Sequence, residues 1–172
     1  MTLAAVLLIL AHLAPSQYAA DPERMSVIAE ATIAATNELA HEWRHAPDEL
    51  SRAILTAIRF ESGLREDVHS GALLGKAGER CLMQIHPGNR VWKTVGAPSF
   101  ESLTGTDYES TRWCLLAGAK ALVLADNYCA ARQFRTNWKQ AMWTAYHYGS
   151  KCWLSPQAFR RARTMGEIAG GR

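Results

Sequence analysis

The amino-acid sequence predicts a mostly α-helical fold, with at most a minor β-hairpin, and three observations support this class. Apolar residues recur at three- and four-residue spacing in several segments, which is the period of one helix face. Helix-start signals stand before two of these segments, at Asp21-Pro22 and at Pro47-Asp48. No run of β-branched residues alternates over five or more positions, so strands are not indicated.

Three helices are predicted in the first part of the chain. The almost entirely apolar residues 3–13 form the first, which Pro15 ends, and residues 22 to about 45 form the second. The third runs from Pro47 to Gly63, a residue type suited to end a helix.

The rest of the chain alternates irregular segments with helices. Residues 63–80 are rich in glycine and charge and are predicted as a loop, with residues 65–81 as the place for a minor hairpin. Residues 81–107 mix short apolar pieces with proline and glycine, so we expect short helices joined by loops. Three further helices are predicted at 108–134, 136–147 and 155–168.

Length and composition fit one globular unit. The chain has 172 residues, and a domain has roughly 100–200. We expect the helices of residues 1–46 to pack on a main unit formed by residues 47–172. Hydrophobic residues make up 48% and charged residues 20%, which excludes the disordered, collagen-like and coiled-coil classes. The net charge of +3 is too small to indicate a nucleic-acid partner, but it suits an anionic polymer such as a bacterial cell wall.

The apolar N-terminal segment has two interpretations. It is far shorter than the ~20 residues of a membrane span, so we expect no integral span. A signal peptide would need an early basic region and small residues at its cleavage site, but no Lys or Arg precedes Arg24 and Gln17-Tyr18-Ala19 fits such a site poorly. We therefore favour a first core helix that stays in the mature protein, with a signal peptide as the alternative.

The four cysteines bear on the compartment. They stand at Cys81, Cys114, Cys129 and Cys152, and none belongs to the closely spaced pair that zinc sites usually contain. Two disulfides and an oxidising compartment are the favoured interpretation. The alternative is four buried free thiols in a cytosolic protein, because free cysteine is common in cores.

Glu61 interrupts an otherwise apolar helix face. That face is formed by Leu50, Ile54, Ala57 and Ile58, and Glu61 is the next residue on it. Burial and the partial negative charge of a helix C-terminus both favour the protonated form of a carboxyl group. A carboxyl group that keeps its proton near neutral pH can act as a general acid. The alternative is that this side chain turns to solvent at a frayed helix end.

Three short segments carry the remaining functional information. Residues 58–64 read Ile-Arg-Phe-Glu-Ser-Gly-Leu, residues 81–87 read Cys-Leu-Met-Gln-Ile-His-Pro, and residues 145–149 read Ala-Tyr-His-Tyr-Gly. In this order they resemble motifs of the soluble lytic transglycosylases: a Glu-Ser pair at a helix end, a Gly-Leu-Met-Gln-Ile-x-Pro segment and an Ala-Tyr-Asn-x-Gly motif. The resemblance covers about residues 47–155.

The resemblance implies a lysozyme-like, mostly helical fold related to goose-type lysozyme, with residues 47–172 as the catalytic domain. It also implies cleavage of the β-1,4 bond between N-acetylmuramic acid and N-acetylglucosamine in peptidoglycan. Most glycosidases use two carboxylates, whereas these motifs contain one. Glu61 would therefore act first as the acid and then as the base toward the sugar's C6 hydroxyl, giving a 1,6-anhydromuramyl end. The sugar's N-acetyl group would take the place of a protein nucleophile.

The same resemblance assigns supporting residues, which are Ser62, Met83, Gln84, Tyr146 and His147 as substrate-binding candidates. The Tyr146 hydroxyl would orient Glu61 or bind the glycan, and Gln84 would bind along the sugar's N-acetyl or backbone edge. Ser62 would bind substrate or, alternatively, make a local backbone hydrogen bond.

Several other residues have a weaker functional interpretation. Met83, Tyr148 and Trp153 would line the cleft, or else pack in the core. His86 and His147 have no partner at i,i+4 spacing, so we expect no metal site. The implied reaction requires no cofactor.

Two positions depart from the family motifs. His147 replaces the usual asparagine, which leaves the details of substrate contact open but not the reaction class. Cys81 replaces the usual glycine, which suggests that a disulfide braces this loop. We predict the pairs Cys81–Cys114 and Cys129–Cys152, each tying a cleft loop to the 108–134 helix, as a hypothesis among the three pairings that four cysteines allow.

Two alternative functions remain. The first is a muramidase that hydrolyses with a water molecule positioned by Glu66 or Asp67, as in inverting glycosidases. The second is a non-catalytic wall-binding or structural virion protein with a lysozyme-like fold. The intact Glu-Ser pair and Gln84 argue against the second, and His147 argues mildly for it.

The expected partners are peptidoglycan glycan strands and other virion or lysis proteins, and not nucleic acid. The expected setting is a bacteriophage virion, or release from an infected host as an endolysin, with action in the bacterial periplasm or cell wall. With a signal peptide, the setting would instead be a secreted or periplasmic bacterial enzyme.

Overall fold

The computed structural model of the chain describes residues 1–132, 137–149, 151–152 and 155–170. Within these residues the chain forms nine α-helices and one 3₁₀ turn at Glu101–Leu103, and no β-strand. The helices are α1 Leu3–Leu13, α2 Pro15–Ala20, α3 Pro22–Leu39, α4 Pro47–Glu61, α5 Glu66–His69, α6 Val91–Thr94, α7 Tyr108–Ala130, α8 Trp138–Tyr148 and α9 Pro156–Gly170. The predicted all-α class is confirmed.

Local capping chemistry sets several of these helix ends. The Asp21 carboxylate accepts from the Arg24 amide at 2.9 Å and so caps α3, and Asp107 caps α7 in the same way. Helix α4 begins with Pro47 and ends at Glu61, followed by Gly63 at φ 61°. This left-handed conformation favours glycine, so the predicted end of α4 is confirmed.

The core lies between helices that are far apart in sequence. Helix α3 packs along α7, and α7 in turn packs against α8, while α1 lies on α3 and α9 contacts α4 and α8. One buried hydrophobic cluster includes Val6 of α1, Ile28 of α3, Ile54 of α4, Leu116 of α7 and Trp143 of α8. Residues 1–46 and 47–172 therefore contribute to the same core.

Two predicted helix bounds are wrong. The second predicted helix extended to about residue 45, but α3 ends at Leu39. The buried Trp43 continues the helical spacing of apolar residues, yet it lies in the turn after the helix, where its indole donates to the Ala46 carbonyl at 3.2 Å. Helix α7 ends at Ala130 instead of residue 134, and residues 133–136 lie outside the described ranges.

The structure also differs from the predicted irregular segments. Pro15 does more than end α1, because it occupies the first position of the unpredicted helix α2, where proline is well tolerated. The 63–80 loop contains the short helix α5. In the described residues the hairpin is reduced to a single antiparallel bridge between Arg80 and Ile85. The expected short helices of residues 81–107 are present as α6 and the 3₁₀ turn.

Two disulfides tie the irregular segments to α7. One joins Cys81 to Cys114 and the other joins Cys129 to Cys152, which are the two predicted pairs. The first connects the 81–87 segment to the N-terminal half of α7, and the second connects the end of α7 to the chain after α8. Among the described residues, no helix has both the length and the hydrophobicity needed to cross a membrane.

Candidate active site

The three motif segments meet along one groove with a volume of about 530 Å³. It is bordered by the C-terminal end of α4, the loop residues 75–89 and the C-terminal half of α8. Among the predicted site residues, those that line it are Glu61, Met83, Gln84, Tyr146 and His147. The other lining residues are Gly75, Lys76, Glu79, Ile85, His86, Asn89 and Ala121. Tertiary packing thus brings together segments separated by more than eighty positions.

Glu61, the last residue of α4, is held by an arginine from the end of the chain. Its side chain is 17% exposed, so it does not turn out to solvent. Arg161 of α9 donates from Nη1 to Glu61 Oε1 at 2.6 Å. Such charge-assisted hydrogen bonds are stronger than neutral ones and fix the orientation of the carboxylate.

Aromatic rings in turn hold Arg161. Its guanidinium lies over the Phe60 ring at 5.4 Å and over the Trp143 ring at 5.7 Å from the ring centroids. Its side chain is only 10% exposed. Cation–π contacts are strongest when the cation is desolvated, as it is here. The carboxylate therefore faces the groove from a rigid support that α4, α8 and α9 build together.

Tyr146 links the third motif to the second. Its hydroxyl donates to the Met83 carbonyl at 3.2 Å, and its ring packs edge-on against Trp143. Burial raises the pKa of Tyr146, and the nearby Glu61 charge raises it further, against the opposing effect of Arg161. The phenol therefore stays neutral and acts as a hydrogen-bond donor at the wall of the groove.

The 80–85 segment is a tight loop with strained backbone. Two hydrogen bonds between Arg80 and Ile85 close it, at 3.0 and 2.9 Å. Cys81 at φ 64° and Gln84 at φ 49° both adopt the left-handed conformation that favours glycine. This explains physically why glycine suits the position that Cys81 fills, and the disulfide to Cys114 holds the loop in place.

Gln84 is fixed at the groove wall. Its Nε2 donates to the Cys81 carbonyl at 3.0 Å. Its Oε1 lies so close to Gly75 that a Cβ at that position would be 2.8 Å from it, and Glu79 Oε2 would be 2.2 Å away. Any side chain at position 75 would therefore displace both polar groups.

Met83 fits both interpretations drawn from the sequence, as a residue of the groove wall and as a core residue. It lines the groove, and it is also buried, with 1% of its surface exposed. The side chain fills the space beside Gly118 of α7, where an added Cβ would lie 2.3 Å from Met83 Cε. Helix α7 can therefore approach the 81–87 segment closely, because it carries a glycine at position 118.

Ser62 does not line the groove, and its contacts are those of the alternative interpretation. Its hydroxyl donates to the Ile58 carbonyl at 3.0 Å and accepts from the Leu64 amide at 3.3 Å. It therefore closes the end of α4 and supports Glu61 through the backbone. His147 is exposed and lines the groove. The Tyr148 side chain and Trp153 lie outside the described residues.

The structure identifies a second carboxylate in the groove, Glu79, which sequence reasoning missed. Its Oε2 accepts from the Ala77 amide at 2.9 Å, and this backbone hydrogen bond lowers the pKa of Glu79. Glu66 and Asp67, the sequence candidates for a water-positioning acid, line a different cavity, where Asp67 pairs with Arg65. Glu79 stands between two motifs with no local pattern to mark it, so only the fold places it in the groove.

Two smaller cavities adjoin the groove. A cavity of about 240 Å³ adjoins it through the shared residues Asn89, Ala121 and Tyr146, and its wall includes the half-exposed Leu124. A cavity of about 160 Å³ adjoins it through His147. The described residues hold no cluster of three His, Cys, Asp or Glu side chains that would suit a metal ion.

Comparisons with family models, with curated proteins and with solved structures find no match to this chain. The functional assignment therefore depends on the groove and on the chemistry of its residues.

Proposed function

We propose that the chain is a peptidoglycan lytic transglycosylase with a lysozyme-like fold, which cleaves the β-1,4 bond between N-acetylmuramic acid and N-acetylglucosamine. The observation that carries the proposal is the position of Glu61, a mostly buried carboxylate in a groove that Gln84 and Tyr146 also line. A carboxyl group held in one orientation at a groove wall is the arrangement that general acid–base catalysis uses.

In the proposed mechanism, protonated Glu61 donates its proton to the glycosidic oxygen as the bond from that oxygen to C1 breaks. The N-acetyl group of the muramyl residue stabilises the positive charge at C1. The Glu61 carboxylate then takes the proton of the C6 hydroxyl, whose oxygen bonds to C1 and closes the 1,6-anhydro ring. The acid is regenerated and no water is consumed.

Arg161 and Tyr146 support these steps in different ways. The guanidinium of Arg161 holds the carboxylate in one orientation and stabilises the negative charge that Glu61 carries between the two proton transfers. Tyr146 holds the Met83 carbonyl, and through it the loop that carries Gln84. Gln84 borders the same groove and is the candidate for the sugar's N-acetyl group.

The shape of the groove favours a polymeric substrate. Two cavities, of about 240 and 160 Å³, adjoin the central one of about 530 Å³, each sharing lining residues with it. A glycan strand can occupy such adjoining cavities with several sugars. The two disulfides favour action in an oxidising compartment, namely the bacterial periplasm or wall. We assign the protein to a bacteriophage virion or lysis system, with a secreted bacterial enzyme as the alternative.

A muramidase is the second candidate, and the position of Glu79 favours it. A second carboxylate in the groove, kept ionised by a backbone hydrogen bond, suits a base that activates water. In that case Glu61 remains the acid, and the product carries a reducing end instead of an anhydro end.

One digestion separates these functions. Purified peptidoglycan is treated with the wild type, Glu61→Gln and Glu79→Gln, with Glu66→Gln as a control carboxylate outside the groove, and the products are analysed by mass spectrometry. We expect anhydromuramyl ends from the wild type, from Glu79→Gln and from Glu66→Gln, and a loss of about 10²–10⁴-fold in rate for Glu61→Gln. Reducing ends that disappear in Glu79→Gln would establish the muramidase. No cleavage by the folded wild type would overturn both activities and leave a wall-binding or structural role.

A further inference from the structure

The smallest of the three adjoining cavities is unusually rich in cationic side chains. It has a volume of about 160 Å³ and is lined by Phe60, His147, Gln157, Arg160 and Arg161. This cavity adjoins the central groove at His147, which lines both, and its residue Arg161 is bonded to Glu61 of the groove. Whatever occupies the cavity lies next to the bond that the groove would cleave.

The two arginines differ in how their charge is balanced. Arg161 is almost fully buried and shares its charge with Glu61. Arg160 is exposed and forms no ion pair with any residue that the structure describes. One cationic charge at the cavity therefore lacks a counter-charge among the residues that the structure describes.

The remaining lining groups fit a small anion attached to an organic side group. A guanidinium presents two parallel N–H donors that match the two oxygens of a carboxylate. The Phe60 ring is 40% exposed and offers an apolar surface beside these donors. The cavity thus combines a charged end with an aromatic wall.

We propose that this cavity is a binding subsite for a free carboxylate on the peptide attached to the muramyl residue, with Arg160 as its principal ligand. The inference rests on the proposed function, since it assumes a peptidoglycan strand in the groove. The glycan chain itself consists of uncharged N-acetylated sugars, whereas its peptides carry free carboxylates. Arg160 thereby makes the protein selective for peptide-substituted strands.

A binding measurement tests the subsite without requiring cleavage. A synthetic N-acetylmuramyl tripeptide with free carboxylates, and the same compound with its carboxylates converted to amides, are titrated calorimetrically. The proteins are the wild type, Arg160→Gln, and Arg163→Gln as a control that removes the same charge from an exposed site on the same helix. We expect the wild type and Arg163→Gln to bind the free acid about five- to tenfold more tightly than the amide, which is the effect of one charged hydrogen-bonded contact. We expect Arg160→Gln to bind the free acid and the amide equally.

A cleavage measurement adds the kinetic signature. On peptidoglycan with free peptide carboxylates, we expect Arg160→Gln to raise KM about fivefold with little change in kcat, and on amidated peptidoglycan to match the wild type. The subsite would be overturned if the wild type bound the two probes equally. It would also be overturned if Arg160→Gln and Arg163→Gln lost the preference for the free acid to the same extent. If the wild type preferred the free acid but cleaved no peptidoglycan, the subsite would be supported and the proposed activity overturned. If it cleaved peptidoglycan but showed no preference, the activity would be supported and the subsite overturned.

Discussion

Arg161 Nη1 lies 2.6 Å from Glu61 Oε1, and the two residues are 100 positions apart in the sequence. The contact joins the C-terminal end of α4 to α9, which packs on both α4 and α8. Removing one partner of a mostly buried ion pair leaves the other charge uncompensated, which costs more stability than the pair itself contributes. The orientation of the candidate acid and the stability of the C-terminal helix are therefore coupled.

The first prediction measures this coupling with a double-mutant cycle. We expect Glu61→Gln and Arg161→Gln each to lower the free energy of unfolding, and the double variant to lose about 1–3 kcal/mol less than the sum of the single losses. Urea unfolding monitored by circular dichroism gives the three values. Additive losses would show that the two side chains do not interact in solution.

The second prediction concerns the buried His69 of α5, whose Nε2 lies 2.8 Å from the Thr111 hydroxyl. Because that hydroxyl donates to the Asp107 carbonyl, His69 is the donor and carries its proton on Nε2. Burial, together with the positive charge of Arg24, lowers the pKa of His69 from 6.5 to about 4. The folded protein thus keeps this imidazole neutral at a pH where the unfolded chain protonates it.

The stability contributed by neutral His69 is complete above pH 6.5 and is lost as the pH falls toward 4, by about 3 kcal/mol in total. We expect the free energy of unfolding of His69→Gln to fall less steeply over this interval than that of the wild type. Urea titrations at pH 7, 6, 5 and 4.5 give the difference curve, and parallel curves would contradict the prediction.

The third prediction concerns Gly118, which makes room for Met83. Alanine in a helix is normally about 0.5–1 kcal/mol more stable than glycine. At position 118, however, the added methyl group would meet Met83 at 2.3 Å, so we expect Gly118→Ala to destabilise the protein by about 1–3 kcal/mol. Because Met83 also holds Tyr146, cleavage of peptidoglycan should fall as well.

A matched glycine provides the control. Gly166 of α9 has no atom within 4 Å of an added Cβ, so Gly166→Ala should be neutral or stabilising when both variants are compared with the wild type by thermal unfolding. The double variant Gly118→Ala with Met83→Ala should recover part of the stability that the clash removes. Equal effects of the two glycine substitutions would contradict the packing explanation.

The fourth prediction concerns two separate contributions to stability at the first disulfide. One is the covalent link between Cys81 and Cys114, and the other is the left-handed backbone conformation of Cys81. Each disulfide closes a segment of 33 or 23 residues and is expected to contribute about 3–4 kcal/mol. Cys81 adopts φ 64°, so Cys81→Gly with Cys114→Ala should be about 1 kcal/mol more stable than Cys81→Ala with Cys114→Ala. Denaturant unfolding of the two double variants tests this difference.

The second disulfide supplies the comparison for activity. Removing Cys129 and Cys152 together should cost similar stability but less activity, because that pair lies away from the groove-lining loop 80–85. If both disulfide-free proteins retained the same activity at a temperature where both are folded, the first disulfide would have no special role in the groove.

Features that depend on neighbouring residues could be predicted from the sequence alone. Prolines marked the starts of α3 and α4, Asp21 marked the cap of α3, and apolar spacing put Glu61 on the inward face of α4. The two disulfide pairs also agree with the expectation from the motifs. Spacing failed at Trp43, because an apolar residue at the helical interval is buried equally well in the turn that follows α3.

The side chains that meet these features come from remote parts of the chain and are brought there by tertiary packing. It placed Arg161 on Glu61, Glu79 in the groove and Gly118 beneath Met83. A repeating pattern reveals which face of a helix is buried, but not which helix covers it, and no local signal distinguishes Arg161 from the other arginines of its basic segment. Those contacts arise from the packing of α9, α7 and the 75–89 loop around the end of α4, which is a property of the whole fold.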